Sequence, residues 1–100
     1  MPKRYTKADR SITAAVGTPF DVDLPSVPTA GYEWSLAIDD DCVRLVKKVV
    51  VPASREVGGG AVERFTLMPR AAGSCALTFE YRRAWERSAH ETVRMLVRIR

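Results

Sequence analysis

The stretch Tyr32-Glu33-Trp34-Ser35-Leu36-Ala37-Ile38 alternates apolar residues with polar or small ones, and it decides the fold class of this chain. Successive side chains of a β-strand point to opposite faces of a sheet, so this period of two predicts a half-buried strand. The run Asp39-Asp40-Asp41 closes the strand. Trp34 lies at its centre, where we expect a large aromatic side chain to pack between two sheets.

The same period recurs along the rest of the chain, in short segments separated by turn residues. About seven strands in 100 residues predict an all-β fold, an antiparallel β-sandwich. We expect one domain over residues 1–100, with a loose N-terminal segment over residues 1–9. The β-branched stretch Val43 to Val51 predicts a long strand with a bulge or a bend. The other segments are Ile12 to Val16, Phe20 to Leu24, Phe65 to Leu67, Cys75 to Tyr81 and Val93 to Ile99.

The apolar faces of these segments predict the core. We expect Glu63 and Thr66 to point outward beside Phe65 and Leu67. Four core residues follow from the alternation: Trp34, Phe65, Leu77 and Phe79.

The composition limits the classes of protein to consider. An apolar share of 46% and a mean hydropathy of −0.15 are those of an ordinary globular domain. No stretch approaches the roughly 20 apolar residues of a membrane span, so we expect no membrane contact. No apolar segment follows the basic residues 3–7, so we expect no signal peptide in this chain. We expect a cytoplasmic protein as written, or a periplasmic or secreted one if a signal segment has been removed.

The charge is a mild basic excess, with a formal net charge of +4 and a pI near 9.4. Such a balance also occurs in many proteins that bind no nucleic acid. Few aromatic residues interleave with the arginines, which divide between strands and a loop, so we interpret them as a solvated surface and expect no nucleic-acid partner. These arginines are Arg82, Arg83, Arg87, Arg94, Arg98 and Arg100.

The two cysteines, Cys42 and Cys75, are too few and too far apart for a metal knuckle. A bridge between them is conceivable, because both are predicted near the same end of the sandwich. We interpret them as reduced thiols.

The sequence contains no recognisable catalytic or metal-binding motif. His90 has no companion motif, and we interpret it as a solvated surface residue. The aspartate run lacks the spacing of a calcium loop, and Gly58 to Gly60 lacks the lysine and the helix of a phosphate loop. The sequence therefore predicts no enzyme, no metal and no cofactor.

Three unusual connections carry the functional prediction: Val27 to Gly31, Arg55 to Gly60 and Arg83 to Glu86. If consecutive strands run antiparallel, every second connection leaves the sandwich at the same end. We therefore expect Thr29, Gly59 and Trp85 to lie at one end. If Trp85 anchors a partner, it should be exposed in the free protein. Such an arrangement indicates recognition of a partner.

At these connections the sequence resembles the chagasin-like inhibitors of papain-family cysteine proteases. The family's first loop reads Asn-Pro-Thr-Thr-Gly-Tyr followed by x-Trp, and its counterpart is Val27-Pro28-Thr29-Ala30-Gly31-Tyr32-Glu33-Trp34. The family's glycine-rich second loop is matched by Val57-Gly58-Gly59-Gly60, ahead of Phe65. Its third loop, Tyr-x-Arg-Pro-Trp-Glu, is matched by Tyr81-Arg82-Arg83-Ala84-Trp85-Glu86. The chain departs from the family at Val27, Ala30 and Ala84.

The resemblance implies an immunoglobulin-like sandwich that plugs a protease cleft reversibly and without a covalent bond. It implies a monomer whose partner is a papain-like cysteine protease. The rival hypothesis is an immunoglobulin-like adhesion or protein-interaction module that does not inhibit. The implied protease-binding residues are Val27, Pro28, Thr29, Ala30, Gly31, Tyr32, Val57, Gly58, Gly59, Gly60, Arg83, Ala84, Trp85 and Glu86.

Overall fold

The protein folds into two packed four-stranded sheets. A computed structural model describes residues 3–52 and 60–100. Within these residues no helix is long and apolar enough to cross a membrane. The elements are β1 (Lys3–Thr6), β2 (Ser11–Ala14), β3 (Phe20–Ser26), a 3₁₀ turn (Pro28–Ala30), β4 (Tyr32–Ala37), β5 (Val43–Pro52), β6 (Ala61–Pro69), β7 (Gly73–Arg83) and β8 (Glu91–Ile99).

The strand order is β1-β3-β6-β5 in the first sheet and β2-β8-β7-β4 in the second. The prediction of a β-sandwich is confirmed, but the strand count and the wholly antiparallel arrangement need correction. The first two strands belong to different sheets. In the first sheet β1 pairs with β3, in the second β2 pairs with β8, and both pairs are parallel. The remaining pairs are antiparallel.

The N-terminal segment differs from the expected loose stretch over residues 1–9. Lys3–Thr6 forms β1. The side chain of Tyr5 in this strand is buried against Phe20, with the ring centroids 5.8 Å apart. One buried aromatic residue and a strand ladder hold this segment on the first sheet.

The core lies between the two sheets, on the faces that the alternation predicts. Trp34 and Phe65 are each 1% exposed, and Leu77 and Phe79 are fully buried, as predicted. The rings of Phe65 and Phe79 meet edge to face across the interface at 5.1 Å. The predicted bulge in the long strand is also confirmed, because the register of β5 against β6 shifts between Leu45 and Lys47.

The prediction that Glu63 and Thr66 are outward-facing, exposed residues is wrong, because both are buried. Glu63 has the same parity as Phe65, so its side chain enters the core, where the residue is 1% exposed. Thr66 is buried as well, and its hydroxyl donates a hydrogen bond to Asp21 Oδ1 at 2.8 Å.

The interpretation of the two cysteines as reduced thiols is also wrong. Cys42, just before β5, and Cys75, in β7, form a disulfide across the two sheets, with their Cα atoms 6.6 Å apart. That separation falls within the normal range for a bridge. Sequence spacing does not reveal that the start of β5 lies against β7.

Replacing both cysteines by serine should lower the free energy of unfolding by about 3–4 kcal/mol, because the bridge closes a loop of 33 residues. Urea titration followed by tryptophan fluorescence measures this loss. A thiol reductant should lower the stability of the wild-type protein by a similar amount and leave the variant unchanged. Equal unfolding midpoints for the two unreduced proteins would show that the bridge contributes nothing in solution.

Candidate functional site

The connections singled out in the sequence leave the sandwich at one end, which we call the tip. Ser26 at the end of β3 and Pro52 at the end of β5 both pair with Ala61. In the second sheet, Tyr32 pairs with Arg83 at the same end. The tip thus contains the first loop (residues 27–31), the third loop (residues 84–90) and the strand ends that flank the second loop (residues 53–60).

The prediction that Thr29 and Trp85 lie at the same end is confirmed. Val57, Gly58 and Gly59 lie outside the described residues, so the expected position of Gly59 stays a prediction. Gly60 is exposed directly before β6.

The first loop is a tight turn rather than an extended segment. Pro28, whose ring fixes its φ angle, begins the 3₁₀ turn. Ala30 N donates to Val27 O at 3.0 Å, and Gly31 N donates to Pro28 O at 2.9 Å. Gly31 ends the turn at a φ of +85°, a conformation that glycine adopts without steric cost. All the residues of this loop are exposed, Thr29 among them.

Aromatic stacking fixes the first loop on the second sheet. The backbone N–H of Val27 donates to Tyr81 Oη at 2.8 Å. The Tyr81 ring stacks on Tyr32 at 4.8 Å and against the buried Trp34 at 4.7 Å. Tyr32 and Trp34 therefore hold the Tyr81 ring in place, and the Tyr81 hydroxyl fixes the start of the loop.

Arg83 joins the first loop to the third. Its Nε atom donates to Ala30 O at 3.0 Å. Its guanidinium lies 4.4 Å from the Tyr32 ring centroid and 5.8 Å from that of Trp85, within the range of cation–π attraction. The planar guanidinium can donate hydrogen bonds and stack on an aromatic ring at the same time, whereas a lysine ammonium group has no planar face to stack.

Trp85 combines high exposure with a firm contact. Among the large apolar residues of the described ranges it is the most exposed, with 73% of its surface accessible. The far edge of its indole lies over Gly31, where a β-carbon would come within 3.1 Å of Cη2. Gly31 therefore has two reasons to be glycine: its backbone conformation and the close approach of Trp85.

Glu86 organises the inside of the third loop. Arg83 N donates to Glu86 Oε1 at 2.9 Å, and Glu86 N donates to Arg83 O at 3.0 Å. The Arg83 amide hydrogen bond, aided by His90, holds the pKa of Glu86 below its ordinary value of 4.5. Glu86 is thus a structural carboxylate of the tip.

His90 is exposed, as the sequence predicts, but it is part of the tip. Its Nε2 atom lies 3.0 Å from Glu86 Oε2 and 3.2 Å from Tyr32 Oη. Its backbone N–H donates to Tyr81 O at 2.7 Å. Sequence reasoning missed the roles of His90 and Tyr81 because both depend on the pairing of β4 with β7. The shared alternation face of Tyr32, Trp34 and Tyr81 was the available signal for Tyr81.

The arrangement suits binding rather than catalysis. In residues 3–52 and 60–100, no group of three or more metal-ligating side chains is assembled. The aspartate run forms a turn in which Asp41 N donates to Asp39 Oδ1 at 3.0 Å. The first and third loops instead form one braced, exposed surface.

The depressed pKa of Glu86 predicts how the third loop responds to acid. A carboxyl whose pKa is lowered in the folded state contributes stability above its unfolded pKa and loses it as the pH falls through the lowered value. In an NMR titration, the Arg83 amide shift should therefore move with a midpoint below 4.5. Glu86→Gln should abolish that movement. A midpoint at or above 4.5 in the wild-type protein would contradict the bracing role.

Comparison with known proteins agrees with this geometry. Residues 13–99 match the family described as chagasin family peptidase inhibitor I42. The chain is 30% identical over 105 residues to chagasin of Trypanosoma cruzi, an alignment that covers 97% of this chain and 96% of chagasin.

Two solved structures share the fold. EhICP2, a cysteine protease inhibitor from Entamoeba histolytica, superposes with a TM-score of 0.85 at 22% identity, over 98% of this chain and 95% of its own. PbICP-C, solved in complex with falcipain-2, gives a TM-score of 0.68 at 16% identity, over 100% of this chain and 92% of its own. The family match confirms the resemblance seen in the three loops and the expectation of an inhibitor rather than an enzyme. The chain belongs to the chagasin family of peptidase inhibitors.

Proposed function

We propose that this protein is a reversible, non-covalent inhibitor of papain-family cysteine proteases and that its tip fills the active-site cleft. The observation that carries the proposal is the Arg83–Ala30 hydrogen bond, which joins two exposed loops into one preformed surface. Family membership supports inhibition as the activity. EhICP2 is itself a cysteine protease inhibitor, which supports this class of target.

The first loop enters the cleft in a form that the protease cannot use as a substrate. Papain-like enzymes attack the carbonyl carbon of an extended peptide with a cysteine thiolate. Here the chain is curled, and the carbonyl oxygens of Val27, Pro28 and Ala30 already accept internal hydrogen bonds. Thr29 at the apex then presents its short hydroxyl toward the catalytic cysteine and histidine. The tip is then held in the cleft by non-covalent contacts alone.

The second and third loops supply contacts on either side of the first. In this proposal Val57, Gly58, Gly59 and Gly60 allow close approach of the backbone, since glycine has no side chain to hold the chains apart. On the other side, Trp85 is a large, stiff anchor, and Ala84 and Glu86 complete its loop. Arg83 positions the anchor through Ala30 and Tyr32.

Two of the three departures from the family's loop residues, Val27 and Ala30, have structural counterparts. Val27 lacks the asparagine side chain that would brace the loop, but its backbone N–H is held by Tyr81. Ala30 lacks a hydroxyl, but its carbonyl is held by Arg83. Hydrogen bonds between the loop backbone and the side chains of Tyr81 and Arg83 therefore preserve the shape of the first loop despite these substitutions.

The direct test is inhibition of papain, with a serine protease as the control. We expect inhibition that is competitive with substrate, reversed by dilution, and absent against the serine protease. The inhibitor should be recovered uncleaved. Failure to inhibit papain and related cysteine proteases would refute the proposal.

Trp85→Ala tests the anchor role. Because Trp85 is exposed, its removal should leave the melting temperature nearly unchanged while weakening binding by about 2 kcal/mol or more. Leu96→Ala is the matched control, since Leu96 is an exposed apolar residue, 52% accessible, in β8. A loss of stability with unchanged inhibition per folded molecule would contradict the anchor role, as would an equal loss of binding for Leu96→Ala.

A further inference from the structure

A buried carboxylate lies in the core beside the first loop. Glu63 in β6 points between the sheets, and its side chain is only 2% exposed. The backbone N–H of Trp34 donates to both of its oxygens, at 3.1 and 3.3 Å. Lys48 Nζ lies 3.2 Å from Glu63 Oε1. We call these two residues the Glu63–Lys48 pair.

Lys48 extends this cluster to the edge strand of the opposite sheet. Its Nζ atom donates to Trp34 O at 2.9 Å and to Glu33 Oε1 at 2.7 Å. Glu63 and Lys48 belong to the first sheet, whereas Glu33 and Trp34 belong to β4 of the second. The pair therefore binds both the N–H and the C=O of one β4 residue from across the sandwich.

This connection bears directly on the first loop. The loop leaves β3 after Ser26 and enters β4 at Tyr32. On its entry side, Trp34 Nε1 donates to Pro25 O at 2.9 Å. Trp34 is thus held by Glu63 and Lys48 through its backbone and itself holds Pro25 through its indole. Pro25 before the loop and Trp34 after it are therefore fixed to each other and to the Glu63–Lys48 pair.

Stability alone gives little reason for a charged pair at this position. The Glu63 carboxylate is removed from water, which is costly, whereas Lys48 keeps 25% of its side chain exposed. Apolar replacements of similar volume are often as stable as a buried ion pair or more so. The directional hydrogen bonds of the pair, however, can set the distance and register between the sheets, which apolar packing specifies less sharply.

We propose that the Glu63–Lys48 pair is a positioning device that sets the placement of the first loop for protease binding. This inference rests on the proposed inhibitory function. Neither residue is predicted to touch the protease; both act through Trp34.

The test uses the double variant Glu63→Gln/Lys48→Met, which removes both charges while the glutamine oxygen can still accept from Trp34 N. We expect near wild-type stability but weaker papain inhibition by about tenfold, or 1.4 kcal/mol. Glu63→Gln alone is the second variant, in case the double variant does not fold. Assays run well below the melting temperature, with only folded molecules counted.

Asp23→Asn is the matched control. Asp23 forms a partly buried pair with Arg64, at 2.8 Å to Nε, and lies 3.5 Å from Arg4 Nε, so both of these partners belong to the first sheet. Arg64 follows Glu63 in sequence but lies on the opposite face of β6. The control should inhibit like the wild-type protein. Unchanged inhibition by the double variant, or an equal loss for the control, would overturn the proposal.

Hydrogen exchange separates this inference from the proposed function. In the free protein, amides of residues 30–34 should exchange faster in Glu63→Gln/Lys48→Met than in Asp23→Asn, while third-loop amides exchange alike. If the wild-type protein does not inhibit but this exchange pattern appears, the proposed function fails and the positioning of the loop stands. Uniform exchange across both variants would overturn the positioning role whatever the inhibition result.

Discussion

Trp34 links the two sheets and supports the tip. Its ring is buried between the sheets, its indole N–H reaches the end of β3, and its backbone is bound by Glu63 and Lys48. Tyr81, which anchors the first loop through Val27, packs against the same ring. One residue thus belongs both to the core and to the support of the tip. The proposed inhibitory surface is therefore an extension of the hydrophobic core rather than a set of independent loops.

A braced tip has an energetic consequence for binding. Ordering a loop or a flexible side chain on association costs about 0.5–1.5 kcal/mol for each immobilised side chain, and rigidity in the free protein reduces that cost. Internal hydrogen bonds shape the first loop, and Glu86 closes the third through the Arg83 amide. Exposure of Trp85 is unfavourable for the isolated protein, yet it leaves a large apolar surface available to a partner.

Local pattern was sufficient for much of this structure. The alternation around Trp34 predicts the strand and its buried face, and strand parity brings Thr29 and Trp85 to one end. Pattern failed where the outcome depends on which strands become neighbours. The Cys42–Cys75 bridge forms because the start of β5 lies against β7. The two parallel pairs arise because β1 joins the first sheet and β2 joins the second. The inward direction of Glu63 was available from its parity with Phe65, but its partners Lys48 and Trp34 come from other strands.

The central claim is that the tip, and not another face of the sandwich, meets the protease. Hydrogen exchange of this protein, free and bound to papain with its catalytic thiol blocked by a small group, tests that claim most directly. The account predicts protection of amides in residues 27–34 and 83–90, with no change in the turn at residues 39–42. Protection confined to β8 or to that turn, with the tip unaffected, would contradict it.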